Sequence, residues 1–245
     1  MIDVHAHLAH PSFDDIAAVL KRAEAAGVGK IIISITDPSE LERAEEILSA
    51  NTNTFLTVGF DPAILSEVKF AQFLKIASTT KIVGIGEVGL DHFYVRDHGQ
   101  RAVQENFFRQ SIRLSIDKGL PVVVHSRSAG RLALEALKSE GAKNVLMHAF
   151  DGKASDAFTF SELGYFFSIP CSVVHSDQKQ KLVKLLPLES MMLETDSPVL
   201  SPINGVRNEP ANLVFSAKVI SEIKKIPLEK VIETTTRNAQ TLFRI

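Results

Sequence analysis

The feature that most constrains the fold is a regular alternation of short apolar runs with segments of helical spacing. Runs rich in β-branched residues, such as Lys30–Ile35, are each followed by a stretch in which apolar residues recur every three or four positions. This order predicts an α/β fold with a parallel sheet whose strands are joined by helices. About eight such units in 245 residues favour a closed (β/α)8 TIM barrel, as a single domain spanning residues 1–245.

Local signals place the individual elements. After a first strand that ends near His7, strands are expected at residues 30–35, 54–59, 81–87, 121–125, 144–148, 164–169 and 191–195. Ser12 is expected to cap the first helix and Gly27 to end it. The stretch Asp37-Pro38-Ser39-Glu40 has the residues of a helix start, and Gly119 is expected to end the fourth helix. The last two helices are expected at residues 212–225 and 228–238.

An open doubly wound sheet is the alternative to a barrel. Such a sheet usually carries a glycine-rich phosphate turn after its first strand, but this chain has His5-Ala6-His7-Leu8 there, and it has no P-loop. The glycines between Gly84 and Gly89 lack the spacing of a nucleotide-binding motif.

Charge and composition limit the classes of partner. The net charge of −2 and the pI near 6.5 argue against a protein that coats nucleic acid, so an anionic substrate must be held locally. The single cysteine, Cys171, gives no sign of an oxidising compartment. No secretory leader and no apolar run of membrane-spanning length is recognisable, so a soluble, cytoplasmic protein that does not bind membranes is expected.

Two histidines in the first strand introduce the candidate chemistry. Strand alternation predicts that His5 and His7 share one face and that Val4 and Ala6 share the other. Further ionisable residues follow other predicted strands. Together they form an inventory of four histidines and two carboxylates at carboxyl ends of strands, where barrel enzymes build their active sites: His5, His7, Glu87, His125, His148 and Asp196.

This inventory predicts two divalent metal ions, because six protein ligands exceed what one catalytic zinc ion takes. We expect His5, His7 and Asp196 to bind one ion, His125 and His148 to bind the other, and Glu87 to bridge them. Zinc, manganese and magnesium all remain open. Two ions and two carboxylates would leave a local charge of roughly +2 for an anionic substrate. Such a centre predicts metal-assisted hydrolysis, with Glu87 and Asp196 as catalytic residues and Asp196 orienting water or accepting its proton.

Two further acids have two interpretations each. Glu194 alternates onto the same face as Asp196, and Asp91 lies four residues beyond Glu87. Either could accept a hydrogen bond from a ligand histidine, or it could be a buried structural acid.

In combination, these residues resemble the TatD family of metal-dependent deoxyribonucleases, within the amidohydrolase-like barrels. The resemblance covers nearly the whole chain and rests on residues 3–8, 86–91, 121–127, 148–152, 193–198, 207–210 and 238–243. It implies a two-metal barrel hydrolase with 3′-to-5′ exonuclease action on DNA, whose ligands fall on the six residues above. It also implies that Arg127, Arg207 and Asn208 face the substrate, since arginine donates bidentately to phosphate.

The chain also departs from the family pattern. His92 stands where the family often has an aromatic residue, and Asp61, Ala149 and Asp151 stand where histidine, cysteine and serine are usual. These positions are expected to line the mouth, so they bear on substrate choice. His92 is a candidate substrate contact or a solvated loop residue. Similarly, Arg127 could simply begin a helix, and Arg207 could pair with a surface acid.

Two other functions stay open. One is metal-dependent hydrolysis of a different ester or amide, such as an aminoacyl-tRNA or a small lactone. Relatives that act on small esters often bridge their metals with a modified lysine at strand four, so Glu87 favours the nuclease. The other is a metal-stabilised barrel without catalysis, although a structural site needs no open coordination position. No obligate protein partner is inferred from the sequence.

Overall fold

Eight parallel strands pair in chain order in the computed structural model, which describes residues Met1–Ile245. The strands are β1 (Ile2–Ala6), β2 (Lys30–Ile35), β3 (Thr54–Val58), β4 (Gly84–Gly89), β5 (Val122–His125), β6 (Val145–Met147), β7 (Phe166–Ile169) and β8 (Met191–Leu193). The helices are α1 (Ile16–Ala25), α2 (Leu41–Ala50), α3 (Glu67–Thr79), α4 (His98–Lys118), α5 (Gly130–Ser139), α6 (Ala154–Ser161), α7 (Asp177–Leu185), α8 (Leu213–Lys224) and α9 (Leu228–Phe243). None of these helices is long and apolar enough to cross a membrane.

The sheet curls until its first and last strands meet. The backbone N–H of Asp196 donates to the carbonyl of His5 at 2.9 Å, and the N–H of His7 donates to the carbonyl of Ser197 at 2.8 Å. These two bonds join the carboxyl ends of β1 and β8. The predicted (β/α)8 barrel is therefore confirmed, with its seam beside two of the candidate ligands.

Local signals located some element ends correctly and others not. The Asp37 carboxylate accepts the Ser39 N–H, and Glu40 accepts the Asp37 N–H, as a capping box predicts. The first helix begins later than expected, because Asp15 caps it through the Ala18 N–H, whereas Ser12 bonds to the ring of His10.

Two apolar clusters fill the molecule. The larger one, of 50 buried residues, includes Ile31 and Ile33 and packs between the strands and the surrounding helices. The smaller one takes the alternate side chains of the strands together with the last turns of α9, and its members are Ile2, Val4, Ile32, Val123, Leu146, Met192, Ala239, Leu242 and Phe243. The Phe243 ring also lies against Gly84 at the start of β4. Helix α9 thus closes the amino end of the barrel.

Two strands are irregular at the residues that matter for chemistry. The pairing of β1 with β2 shifts between Asp3 and Ala6, and the pairing of β4 with β5 shifts between Ile85 and Val88. Such bulges re-aim side chains. The expectation that Val4 and Ala6 share one face is wrong, because Val4 belongs to the smaller cluster and Ala6 to the larger.

Candidate metal centre

All six candidate ligands meet at the carboxyl end of the barrel. His5 lies in β1 and His7 just after it, Glu87 lies in β4, and His125 ends β5. His148 follows β6 directly, and Asp196 follows β8 in a backbone conformation with φ of +54°. Five of the six line a cavity of about 470 Å³, and His5 is fully buried beneath it.

One group of four ligand atoms has the spacing of a coordination shell. His5 Nε2 lies 3.2 Å from His7 Nε2 and 3.2 Å from Glu87 Oε2. Asp196 Oδ1 lies 3.7 Å from His5 Nε2 and 3.4 Å from His7 Nε2. Donors placed tetrahedrally at the bond length of zinc are about 3.4 Å apart. These residues therefore fit a divalent cation.

The second oxygen of Glu87 faces a different pair of histidines. Glu87 Oε1 lies 2.5 Å from His125 Nδ1 and 3.9 Å from His148 Nε2. The three side chains form a second group whose atoms are close enough to share an ion. Asp196 also reaches this group, since its Oδ2 is 3.7 Å from His148 Nε2. Glu87 thus presents one carboxylate oxygen to each group.

Buried acids fix the orientation of two of the histidines. Glu194 accepts a hydrogen bond from His148 Nδ1 at 2.6 Å and also from the Ser168 hydroxyl and the Ala149 N–H. Asp91 Oδ2 lies 3.0 Å from His125 Nε2. Of the two interpretations left open by the sequence, the contacts match the acceptor role for both acids. His5 differs, because its buried Nδ1 has no hydrogen-bond partner.

The acids control the proton affinities of the site. Burial lowers the pKa of His125, but Asp91 and Glu87 outweigh it and raise that pKa to about 10. Burial likewise lowers the pKa of His148, whereas Glu194, Asp196 and Glu87 raise it to about 9. Burial also raises the pKa of Glu87, but the charges of His148 and His125 hold it well below its ordinary value. The centre therefore attracts positive charge strongly.

The charge balance differs from the sequence expectation. Four carboxylates contact the histidines, because Asp91 and Glu194 lie behind the ligands in addition to Glu87 and Asp196. Two divalent ions would therefore leave no large local excess of positive charge, instead of the expected +2. A phosphate in the cavity would need other cationic groups.

Lys179 on α7 is such a group. Its Nζ donates to the carbonyls of Ala149 and Phe150, both at 2.7 Å, and it lines the cavity. Burial lowers its pKa to about 8. Lys179 was not predicted from the sequence, although it lies three and four positions before Leu182 and Val183 and therefore falls on the buried face of the helix.

The residues expected to contact substrate are placed differently from one another. Arg127 lines the cavity and is exposed. The guanidinium of Arg207 lies 4.8 Å from the ring centre of Phe13 and bonds to the carbonyl of Ser12. His92 is half-buried and lies outside the residues that line the cavity, and its N–H donates to the carbonyl of Arg127.

Asn208 is not brought into the cavity. It is fully buried, and its side-chain N–H donates to the carbonyl of Thr195 at 2.7 Å. Its side-chain oxygen accepts from the Glu209 N–H and from Asn212. In this structure the amide supports the loop after β8, next to Asp196.

Comparisons with known proteins agree on the family and on the fold. The family model described as TatD related DNase matches residues 2–244. Human deoxyribonuclease TATDN3 is 42% identical over 260 residues, which cover 99% of this chain and 94% of the relative. The uncharacterized metal-dependent hydrolase YabD of Bacillus subtilis is 32% identical over 100% of this chain and 99% of its own. The crystal structure of the Escherichia coli TatD homolog YjjV superposes with a TM-score of 0.92 at 28% identity, covering 100% and 98% of the two chains.

Proposed function

Because the chain belongs to the TatD-related DNase family, we propose that it hydrolyses phosphodiester bonds of DNA, acting on single strands or strand ends in the 3′-to-5′ direction. The observation that carries the proposal is the Glu87 carboxylate, whose two oxygens face two separate histidine groups. A carboxylate shared in this way is the usual centre of a two-metal hydrolytic site.

In this proposal His5, His7 and Asp196 would hold one divalent cation, His125 and His148 would hold a second, and Glu87 would be shared. When bound, such cations lower the pKa of water towards neutrality and polarise a phosphoryl oxygen as Lewis acids. Imidazole and carboxylate donors suit zinc, manganese or magnesium. Glu194 and Asp91 support the assignment, because ligand histidines commonly donate their other N–H to a carboxylate.

The side chains around the cations divide the remaining work. Asp196 has both oxygens within 3.7 Å of ligand histidines, so its carboxylate can orient the attacking water and accept its proton. Arg127 offers a planar fork to a phosphate at the edge of the cavity. Lys179, which donates to the carbonyl of Ala149 in the loop after β6, adds a second positive charge at the cavity.

The test is nucleotide release from single-stranded DNA with a 3′ label, using chelator-stripped protein to which magnesium, manganese or zinc is returned. The wild-type chain is expected to release the terminal nucleotide first, and only with metal. Glu87→Gln keeps the shape of the side chain but removes its charge, and is expected to lose about a thousandfold in rate. Glu222→Gln makes the same chemical change on the exposed surface of α8 and is the matched control.

Folded, metal-loaded protein that releases nothing from DNA would contradict the nuclease proposal. An esterase or lactonase assay with the same preparations then becomes decisive. Metal-dependent turnover that disappears in Glu87→Gln would indicate hydrolysis of another ester or amide. No turnover on any substrate would indicate a barrel that binds metal without catalysis.

We propose that the chain works in the cytoplasm without an obligate protein partner. The only cysteine, Cys171, is buried and unpaired, which suits a reducing compartment.

A further inference from the structure

A pair of exposed aromatic side chains stands beside the cavity. Phe93 and Tyr94 lie in the loop between β4 and α4 and are 44% and 63% exposed. Their rings meet edge to face, with centroids 5.1 Å apart. Arg127, which lines the cavity, lies over both rings, at 4.1 Å from the Phe93 centroid and 5.0 Å from the Tyr94 centroid. Rings that are this exposed stay partly hydrated after folding and contribute less to stability than buried rings do.

The partners of Arg127 distinguish it from the arginines that are held in ion pairs. Arg22, Arg109 and Arg113 each contact a carboxylate within 2.9 Å. The guanidinium of Arg127 instead has the two rings as its neighbours. An arginine that stacks on an aromatic face keeps its N–H groups in the plane of the fork, free to donate to a phosphate.

The loop that carries the rings is firmly held. The N–H groups of Phe93 and Tyr94 donate to Asp91 Oδ1 at 3.0 and 2.8 Å. Arg101 donates to the carbonyls of His92 and Val95. The other oxygen of Asp91 contacts His125, a candidate metal ligand. The Asp91 carboxylate therefore holds both the aromatic pair and the candidate metal centre, so the distance between them is fixed before a substrate binds.

We propose that Tyr94 is a stacking platform for an unpaired nucleobase of the substrate, with Phe93 supporting Arg127 for contact with the neighbouring phosphate. This inference rests on the proposed DNA hydrolysis and adds a substrate requirement: the nucleotide beside the cleaved bond must be unstacked. Every base has an apolar face that an aromatic ring can cover, so stacking gives affinity without sequence preference. A base inside a duplex is covered by its neighbours and cannot use the platform.

The composition of the chain supplies a direct probe of this contact. It contains no tryptophan and only two tyrosines, and Tyr165 is buried at 3% exposure. Tyrosine fluorescence that responds to ligand therefore reports mainly on Tyr94. With chelator present to prevent cleavage, a thymidine octamer is expected to quench this fluorescence saturably, whereas an abasic octamer of equal length and charge quenches it little. Tyr94→Phe corrects for absorption by the DNA.

Kinetics with metal restored provide the second readout. Tyr94→Ala is expected to raise KM for the thymidine octamer by about 5- to 20-fold and to leave KM for the abasic octamer unchanged. Tyr94→Phe keeps the ring and is expected to keep the wild-type KM. Phe215→Ala, at a phenylalanine of α8 that is 37% exposed, is the control for loss of an exposed ring.

Two results would overturn the platform. One is equal quenching by the thymidine and abasic octamers, and the other is an equal effect of Tyr94→Ala on both substrates. Both differ from failure of the proposed function, in which the wild-type chain releases no nucleotide from DNA. In that case the fluorescence titration still decides whether Tyr94 binds a base.

Discussion

The two ends of the barrel interior contain side chains of opposite polarity. The carboxyl end holds four histidines in contact with four carboxylates. All of these side chains are at least half-buried, and several of them line the cavity. The amino end holds the smaller apolar cluster, to which α9 contributes three side chains. Burying charge costs free energy unless it is paired, whereas burying apolar surface is favourable. The comparison indicates that the amino end stabilises the barrel and the carboxyl end carries the chemistry.

The backbone differs between the two ends as well. The bulges in β1 and β4 lie next to His5 and Glu87, near the carboxyl end. Glycines permit close approach there, since a Cβ at Gly59 would lie 2.1 Å from the carbonyl oxygen of Glu87. The carboxyl end of the barrel therefore depends on close backbone packing, which leaves no room for a side chain at position 59.

The largest effect is expected where this backbone packing is disturbed. Gly59→Ala would place a methyl group against the backbone of Glu87, which cannot yield as a flexible side chain would. We expect a loss of at least about 4 kcal/mol in the free energy of unfolding, or no folded protein. Gly141→Ala, where φ is +76° but no atom lies within 4 Å, is expected to cost about 1 kcal/mol from backbone strain. Equal losses in urea denaturation would contradict this account of Gly59.

The amino end is tested by Phe243→Ala, which removes the ring that packs against Gly84 and the smaller cluster. The free energy of unfolding is expected to fall by about 3 to 4 kcal/mol. The kcat of the protein that remains folded is expected to stay at the wild-type value. Phe215→Ala, at an exposed ring, should cost far less. A changed kcat in Phe243→Ala would mean that the two ends are coupled.

The acid behind His148 gives a smaller and purely chemical effect. Glu194→Gln is expected to weaken metal binding by roughly tenfold to a hundredfold, because the amide orients His148 less strongly than the carboxylate. Competition of manganese against a coloured chelator measures this change. Glu222→Gln controls for the loss of one negative charge. Unchanged affinity would show that Glu194 acts only as a buried structural acid.

The smallest expected effect concerns the buried ammonium of Lys179. Its folded-state pKa of about 8 lies below the value of about 10.4 for a solvated lysine. Between these values the unfolded chain binds more protons, so this group makes stability rise with pH. We expect wild type to gain on the order of 1 to 2 kcal/mol relative to Lys179→Met between pH 7.5 and pH 10. Urea midpoints that change equally with pH in the two proteins would contradict this prediction.

Most of the local signals in the sequence were informative, although Ser12 does not cap α1. Glycine at position 119, with φ of +64°, ends α4 as expected, and the capping residues at 37–40 behave as their types predict. The alternation of strand and helix patterns identified the barrel, since strands and helices each have their own spacing of apolar residues. The carboxyl ends of parallel strands share one edge, so the six candidate ligands could be grouped from their positions alone.

Other features depended on neighbouring segments. No local pattern predicts the register shift between Asp3 and Ala6, because register is decided by pairing with β2. Asparagine is a residue type that is common in surface loops, yet the fold buries Asn208 against Thr195. Arg207 is held by Phe13 and Ser12, nearly two hundred positions earlier in the chain.

By itself, the sequence determined the barrel, the six candidate ligands and the end of the barrel at which they meet. Only the tertiary structure decided that the two oxygens of Glu87 face different histidines, that Lys179 points into the cavity, and that Arg127 rests on Phe93 and Tyr94. The physical reason is the distance along the chain over which each feature is decided. Backbone period and capping are set within a few residues, whereas the aim of a side chain depends on strands and loops that the fold brings beside it.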